Sequence, residues 1–406
     1  MLMNLFGGLV LAATALAQND EVLLPLPDGA LPLGTERRIL VDAAREEVAT
    51  EDSADKRRLA VQFYYPRATK LAGKKYRNAD YLPDFDILKP ALGPLYQANA
   101  AALSALRVPA LEAAPVLPGR RLPLVVFSPG IGTSRLFYTA QVLAIAARGF
   151  LVVAIDHSYD VDGVVCEGEL VRRKDAQASE TEGLTKAGEG LHAGPRLRVW
   201  AEDVRFVLDA VLALDKKDPL LRGRIDKERL GYVGHCFGAR AVVLAAAGDA
   251  RIKAVIAENA WPLAVESKTG TMTADLLFAQ GARTSDVVWL ESQKAAKAAI
   301  DQLVAQRFEE QKAFLAELEA RVLHVEFADQ EHMDFTDLPM LGAWIAARSD
   351  ATDGAAATPQ RSARRDLVDS IFVDFLATRL LGAKPKHLAG GEADRAGYRV
   401  VPIGTR

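Results

Sequence analysis

One stretch limits the possible folds more than any other: Leu-Gly-Tyr-Val-Gly-His-Cys-Phe-Gly-Ala-Arg, residues 230–240. A β-type run (residues 230–233) meets Gly234, and an alanine-rich, helix-forming run follows Gly238. Glycine, any residue, nucleophile, any residue, glycine is the frame of a strand-to-helix turn that presents a reactive side chain above a sheet. Cys236 holds the nucleophile position. So tight a turn needs small neighbours, and Gly234 and Gly238 supply them. The N-terminus of the following helix favours an anion and lowers a thiol's pKa. The N–H of Phe237 would point into an oxyanion hole. The plainer alternative is a glycine-rich turn around an inert, buried cysteine.

The surrounding pattern suits such a turn. Residues 37–45 and 57–66 read as strands, the second rich in aromatic and β-branched residues and ended by proline. No helix separates them, so they are expected to pair antiparallel at an edge. Residues 68–119 form an irregular, proline-dotted excursion with short helices. Regular alternation follows. Strands are expected at 121–130, 150–158, 230–233, 251–259, 286–292 and 320–328. Helices are expected at 135–149, 196–215, after the elbow, at about 292–319 with Ser292 as N-cap, and at 364–382. Continuous apolar strands alternating with helices imply an α/β fold, a mostly parallel sheet covered on both faces. With no internal repeat, the expectation is one domain over 18–406, with excursions at about 68–119 and 159–195.

Composition removes several function classes. The 406 residues carry a net charge of −3, half are hydrophobic and a quarter charged. That is globular composition. Without a basic stripe or aromatic–basic interleaving, nucleic acid is not an expected partner, and no obligate protein partner is evident. Residues 1–17 are an apolar run ending Ala-Leu-Ala, which fits a cleaved leader and a secreted or periplasmic protein, although no Lys or Arg precedes the run. No later stretch approaches the roughly 18 apolar residues of a membrane span. Two cysteines, Cys166 and Cys236, are too few for a disulfide framework. Their pairing would disable Cys236 and requires Cα atoms within about 7 Å.

Further site residues follow from the elbow. A second oxyanion donor should come from the loop after the 121–130 strand, Phe-Ser-Pro-Gly-Ile-Gly-Thr-Ser, with the N–H of Ile131 or Gly132 as candidate. The same segment, Gly130-x-Gly132 followed by an acid at Asp156, is also a weak dinucleotide pattern; its third glycine position holds Arg135. No cofactor is expected. The base should be a histidine on a late loop, because the chain order in this kind of site is nucleophile, acid, histidine. Of six histidines, His235 lies in the elbow, His157 ends a middle strand, and His192 is in an excursion. His324 is inside the last strand and His387 is in the tail. His332, just after that strand, has the right place. No pair has metal-ligand spacing, and no metal is expected. For the residue that orients the base, Glu258, Asn259 and Glu291 remain open; one residue at a strand end decides which face a side chain takes.

Five blocks in order carry a resemblance: "VVFSPGIG", "AIDHSYDVDGVV", "GHCFGA", "RIKAVIAENAWPL" and "EHMDFTD". Over residues 37–382 the chain resembles the secreted, plasma-type (isoform II) platelet-activating-factor acetylhydrolases and their microbial relatives of the dienelactone hydrolase group. The resemblance implies an α/β-hydrolase fold and metal-free cleavage of short or oxidised acyl esters by a Ser-His-Asp triad. It places the nucleophile on Cys236, the base on His332, the oxyanion donors on Ile131 and Phe237, and the orienting residue on Asn259. Serine to cysteine and aspartate to asparagine are both departures. Cys-His-Asn is also a working set in papain-like proteases, where asparagine orients the ring, and dienelactone hydrolases resemble this site in using an elbow cysteine. The implied site is a thiolate–imidazolium pair, Cys236 and His332, oriented by Asn259 or, failing that, Glu258.

The leading expectation is an esterase or lactonase working through an acyl-cysteine on small or lipid esters. A transient lipid-interface contact could come from the 81–118 region and the 292–319 helix. An acyltransferase, resembling polyhydroxyalkanoate synthases in its G-x-C-x-G box, and a non-catalytic binding protein are the alternatives.

Overall fold

The computed structural model describes residues 21–71, 75–174, 194–260, 272–281, 297–318, 320–350, 358–389 and 393–403. The expected leader, the 286–292 strand, His192 and Glu291 lie outside the described residues.

Eight strands organise the sheet: β1 (Leu33–Glu46), β2 (Lys56–Pro66), β3 (Leu122–Ser128), β4 (Leu151–His157), β5 (Ile225–His235), β6 (Ile252–Glu258), β7 (Asp275–Gln280) and β8 (Val322–Phe327). Their order across the sheet is β1-β2-β4-β3-β5-β6-β7-β8. β2 runs antiparallel to both neighbours, and every pair from β4 to β8 is parallel. The antiparallel start matches the expectation from residues 37–66, but it is not the edge. The strand Leu106–Glu112, from the proline-dotted excursion, pairs parallel beyond β1. At the far side Tyr398–Ile403 adds antiparallel to β8, so the strand at 320–328 is not the last.

The excursion carries three short helices, Phe85–Leu88, Pro94–Ala98 and Ala100–Ala105, and the main helices are α1 (Thr139–Ala146), α2 (Pro195–Leu214), α3 (Phe237–Ala246), α4 (Lys297–Glu317), α5 (Leu338–Asp350) and α6 (Ala363–Leu376). Alternation along each strand divides the core in two. In β3, Val125 and Phe127 face one cluster, shared with α1, α5 and α6; Leu122, Leu124 and Val126 face the other, shared with α2 and α3. Helices on both faces of a mostly parallel sheet make an α/β fold. The strand order reverses beside β3 and β5, and a crevice opens at such a reversal outside the carboxyl ends of the strands. Both elbow and oxyanion loop leave the sheet there. No described helix is long and apolar enough to cross a membrane.

Candidate active site

The elbow is built by backbone packing on backbone. A Cβ on Gly238 would lie 2.2 Å from the Pro129 carbonyl oxygen and 2.4 Å from that of Ser128. One on Gly234 would lie 2.5 Å from the Gly238 oxygen. Neither contact is possible for a real side chain, so both glycines are sterically required. Between them Cys236 takes φ 55° and ψ −121°, at the N-cap of α3. An L-residue held there costs on the order of 1–3 kcal/mol, and such strain persists where surrounding structure over-determines it. The Cys236 N–H donates to the Glu258 carbonyl at 2.9 Å, and its own carbonyl accepts from Ala239 at 3.1 Å. Cys236 is partly exposed and Cys166 is buried, and the two are not joined in a disulfide.

Phe237 begins α3, and its N–H belongs to the first turn, where no helical carbonyl is in reach. Its ring meets Trp200 edge-on at 5.0 Å. The other expected donor, Ile131, follows Gly130, whose Cα is pressed against the elbow. A Cβ on Gly130 would sit 3.2 Å from the Cys236 Cβ and 3.3 Å from His235 Nδ1. Asp156 locks the loop from below. Its buried carboxylate accepts from the Ser134 hydroxyl (3.1 Å) and the Arg135 N–H (2.7 Å), and it pairs with the Arg135 guanidinium. The acid of the weak dinucleotide pattern is therefore consumed internally.

His332 opens the short turn His332–Phe335 that follows β8, capped reciprocally by Glu331 and Asp334. The Asn259 side-chain Nδ2 lies 3.1 Å from His332 Nδ1. Asn259 is fully buried at φ 45°, just past β6, and its N–H donates to the Ala279 carbonyl at 2.7 Å. Glu258, one residue earlier, faces the other way. Its buried carboxyl accepts from Gln141 Nε2 at 3.2 Å, and burial holds its pKa well above the usual carboxylate range. Of the two described candidates, Asn259 meets the histidine. Burial pushes the His332 pKa down to about 4. Burial therefore disfavours the charged form of the ring.

Two groups carried no sequence signal. His235 is buried, with Nε2 3.0 Å from the His332 carbonyl oxygen and Nδ1 2.9 Å from the Tyr138 hydroxyl. Beneath the elbow, His157 joins the Ser128 hydroxyl (Nε2, 2.9 Å) to Asp203 (Nδ1, 2.8 Å). This is a serine–histidine–acid arrangement, yet all three residues are fully buried. Burial raises the pKa of Asp203, but the buried Arg57 guanidinium at 2.7 Å and His157 outweigh that and hold it far below the usual range. Trp200 stacks on the His157 ring at 3.7 Å. The network anchors the end of β3 rather than reaching substrate. His324 sits in β8 against Gln280 Oε1 at 3.1 Å, and the His387 N–H serves the Asp374 carboxylate; neither joins the site.

A cavity of about 170 Å³ adjoins the oxyanion loop. Gly132, Ser134 and Phe137 line one side; Leu88, Leu92 and Tyr96 of the excursion are among the apolar residues opposite, and Asp162 adds a carboxyl. A larger groove of about 730 Å³ lies between residues 25–28 and α6, and no elbow, oxyanion-loop or His332 residue lines it.

Comparison with known proteins bears on the family and the fold. The family model "Platelet-activating factor acetylhydrolase, isoform II" matches residues 17–184 and 202–355. A platelet-activating factor acetylhydrolase from Cavia porcellus is 27% identical over 191 residues, 43% of each chain. A probable 1-alkyl-2-acetylglycerophosphocholine esterase from Arthroderma benhamiae is 28% identical over 270 residues, 61% of each. The chain thus spans less than two thirds of the length of these relatives. A ferulic acid esterase from Streptomyces cinnamoneus superposes with TM-score 0.64 at 24% identity, over 91% of this chain and 95% of that one, which shows a shared fold. A family model covering most of the chain, with the strand order and elbow described above, establishes that this protein is a member of the platelet-activating factor acetylhydrolase, isoform II, family, with an α/β-hydrolase fold.

Proposed function

We propose that the protein is a carboxylic-ester hydrolase that works through an acyl-thioester on Cys236. The observation that carries this reading is the strained Cys236 at the head of α3, next in sequence to His235, whose ring lies 4.5 Å from that of His332, the ring that Asn259 meets. Cys236 Sγ attacks the acyl carbonyl while His332 takes the thiol proton. The N–H groups of Ile131 and Phe237 hold the oxyanion. The tetrahedral adduct collapses, the alcohol leaves with the proton from His332, and water, deprotonated by the same ring, releases the acid.

Asn259 must present its carboxamide in one sense. With Nδ2 against Nδ1, the His332 proton sits on Nε2. With Oδ1 there, Nδ1–H donates and Nε2 is left as the base. The two ends are nearly identical in shape, and catalysis uses the second. A neutral resting imidazole fits this role and a general-base attack by the thiol.

The family relatives support an ester substrate. The cavity beside the oxyanion loop is of the size that admits one ring or a short acyl chain, since an apolar cavity of about 150 Å³ holds benzene. Ile87 and Leu95, exposed on the excursion's short helices, support brief contact with a lipid surface. The apolar 1–17 segment with its Ala-Leu-Ala ending supports export. p-Nitrophenyl acetate hydrolysis tests the reading. Cys236→Ala and His332→Ala are expected to lose roughly 10³-fold or more in kcat/KM, as when a nucleophile or its histidine is removed from a serine protease triad; wild-type rates in either variant would refute it.

A further inference from the structure

One chain of hydrogen bonds passes through all three parts of the site. The Gly130 N–H donates to the Tyr138 hydroxyl at 3.0 Å. The Tyr138 oxygen lies 2.9 Å from His235 Nδ1, and His235 Nε2 lies 3.0 Å from the His332 carbonyl oxygen. A carbonyl only accepts, so His235 carries its proton on Nε2 and accepts from Tyr138 at Nδ1. The three bonds therefore run in one direction. Gly130 precedes the oxyanion donor Ile131, His235 precedes Cys236, and His332 is the base.

We propose that Tyr138 and His235 are positioning residues that set the oxyanion loop in register with the catalytic histidine, by this directed chain from the Gly130 N–H to the His332 carbonyl. The inference rests on the reading of Cys236 and His332 as nucleophile and base. Packing keeps the chain closed. Tyr138 is fully buried and His235 almost so. The His235 ring lies 4.5 Å from that of His332 and stacks on Phe335 at 5.8 Å. Burial first, and the neighbouring His332 second, keep His235 neutral by pushing its pKa well below the ordinary value. A protonated His235 would donate from Nδ1 and break the bond from Tyr138. A tetrahedral adduct needs oxyanion donors and base placed together, and a shift of about 1 Å costs on the order of 10²-fold. Neither residue needs to touch substrate for this effect.

Three variants test the chain by pre-steady-state acylation with p-nitrophenyl acetate. Tyr138→Phe removes the hydroxyl, His235→Leu removes both ring nitrogens, and His235→Gln keeps an N–H donor for the His332 carbonyl. Tyr138→Phe and His235→Leu are expected to acylate about tenfold or more slowly, with KM within about twofold. His235→Gln is expected to recover most of the loss. Rates within twofold of wild type in both Tyr138→Phe and His235→Leu would overturn the proposal, as would a change confined to KM.

A second measurement is independent of turnover. Imidazole ¹⁵N spectra of the wild type and Tyr138→Phe should show His235 as the Nε2–H tautomer and displaced His332 resonances in the variant. An Nδ1–H tautomer, or His332 resonances unmoved, would overturn the proposal even if the wild type failed to acylate. Absence of acylation with the expected spectra would instead count against Cys236 as nucleophile and leave the positioning chain standing.

Discussion

Cys236 and Asn259 each depart from the serine and aspartate that the family pattern implies, and each makes sense of the other. A serine hydroxyl needs strong base assistance, and a buried carboxylate stabilises the imidazolium that forms. With a neutral carboxamide at His332 Nδ1 and a pKa near 4, that assistance is weak. A thiol, with its far lower pKa, requires less of it. Cys236→Ser is therefore expected to acylate at least about 10²-fold more slowly, since a serine site whose carboxylate becomes an amide loses about 10⁴-fold in kcat. Adding Asn259→Asp should restore about tenfold or more in the serine background. Equal rates for Cys236→Ser and the wild type in stopped-flow acylation would contradict this coupling. The sequence order alone made His332 the candidate base. Spacing alone left Glu258 and Asn259 open, because the choice depends on which face of the sheet each takes as β6 ends; only the family resemblance favoured Asn259. His235 and Tyr138 lie 97 residues apart in sequence and meet only in the fold.

At the scale of elements, the elbow was legible because its two glycines answer a local steric demand. That demand comes from the end of β3: the Ser128 and Pro129 carbonyls occupy the space of a Gly238 side chain. Gly238→Ala must part α3 from β3, and a destabilisation of about 2 kcal/mol or more is expected, within the range for overpacking. A chemical denaturation midpoint equal to wild type would show that the two elements move apart freely. Other elements left weaker traces. Asp-Leu-Leu-Phe-Ala-Gln, Asp275–Gln280, forms β7, although its short apolar run reads equally as buried helix. Tyr398–Ile403 reaches β8 by an antiparallel register that no local pattern encodes. The excursion's strand at Leu106–Glu112 interrupts a proline-rich stretch and joins the sheet because β1 offers it an edge.

Across the whole molecule, buried histidines set the response to acid. Burial lowers the pKa of His157 and His235 and brings His324 and His332 to about 4. Each binds protons less readily folded than unfolded. The stability they contribute is present above pH about 6.5 and is lost as pH falls towards 4. Burial acts oppositely on carboxyls: Asp337 rises to about 6, and Glu258 also rises. Their contribution is present at acid pH and lost as pH rises through the folded value. Asp162 rises as well, so four histidines stand against three carboxyls, and a net fall is expected; His324 alone accounts for about 3 kcal/mol, from about 1.36 kcal/mol per pKa unit. The guanidinium midpoint is expected to drop between pH 7 and pH 5, and less steeply in His324→Gln, a site remote from the elbow. A midpoint rising toward pH 5 would show that the carboxyls dominate.

The proposed reaction stands or falls on a covalent acyl group on Cys236, which a burst followed by intact mass detects. Wild-type protein is mixed with excess p-nitrophenyl acetate, nitrophenolate release is followed, and the acid-quenched protein is weighed and its peptides mapped. A burst near one equivalent is expected, with an acetyl group on the Cys236 peptide, both absent in Cys236→Ala. Turnover with no burst and no acetyl group on that peptide, or an undiminished burst in Cys236→Ala, would contradict it.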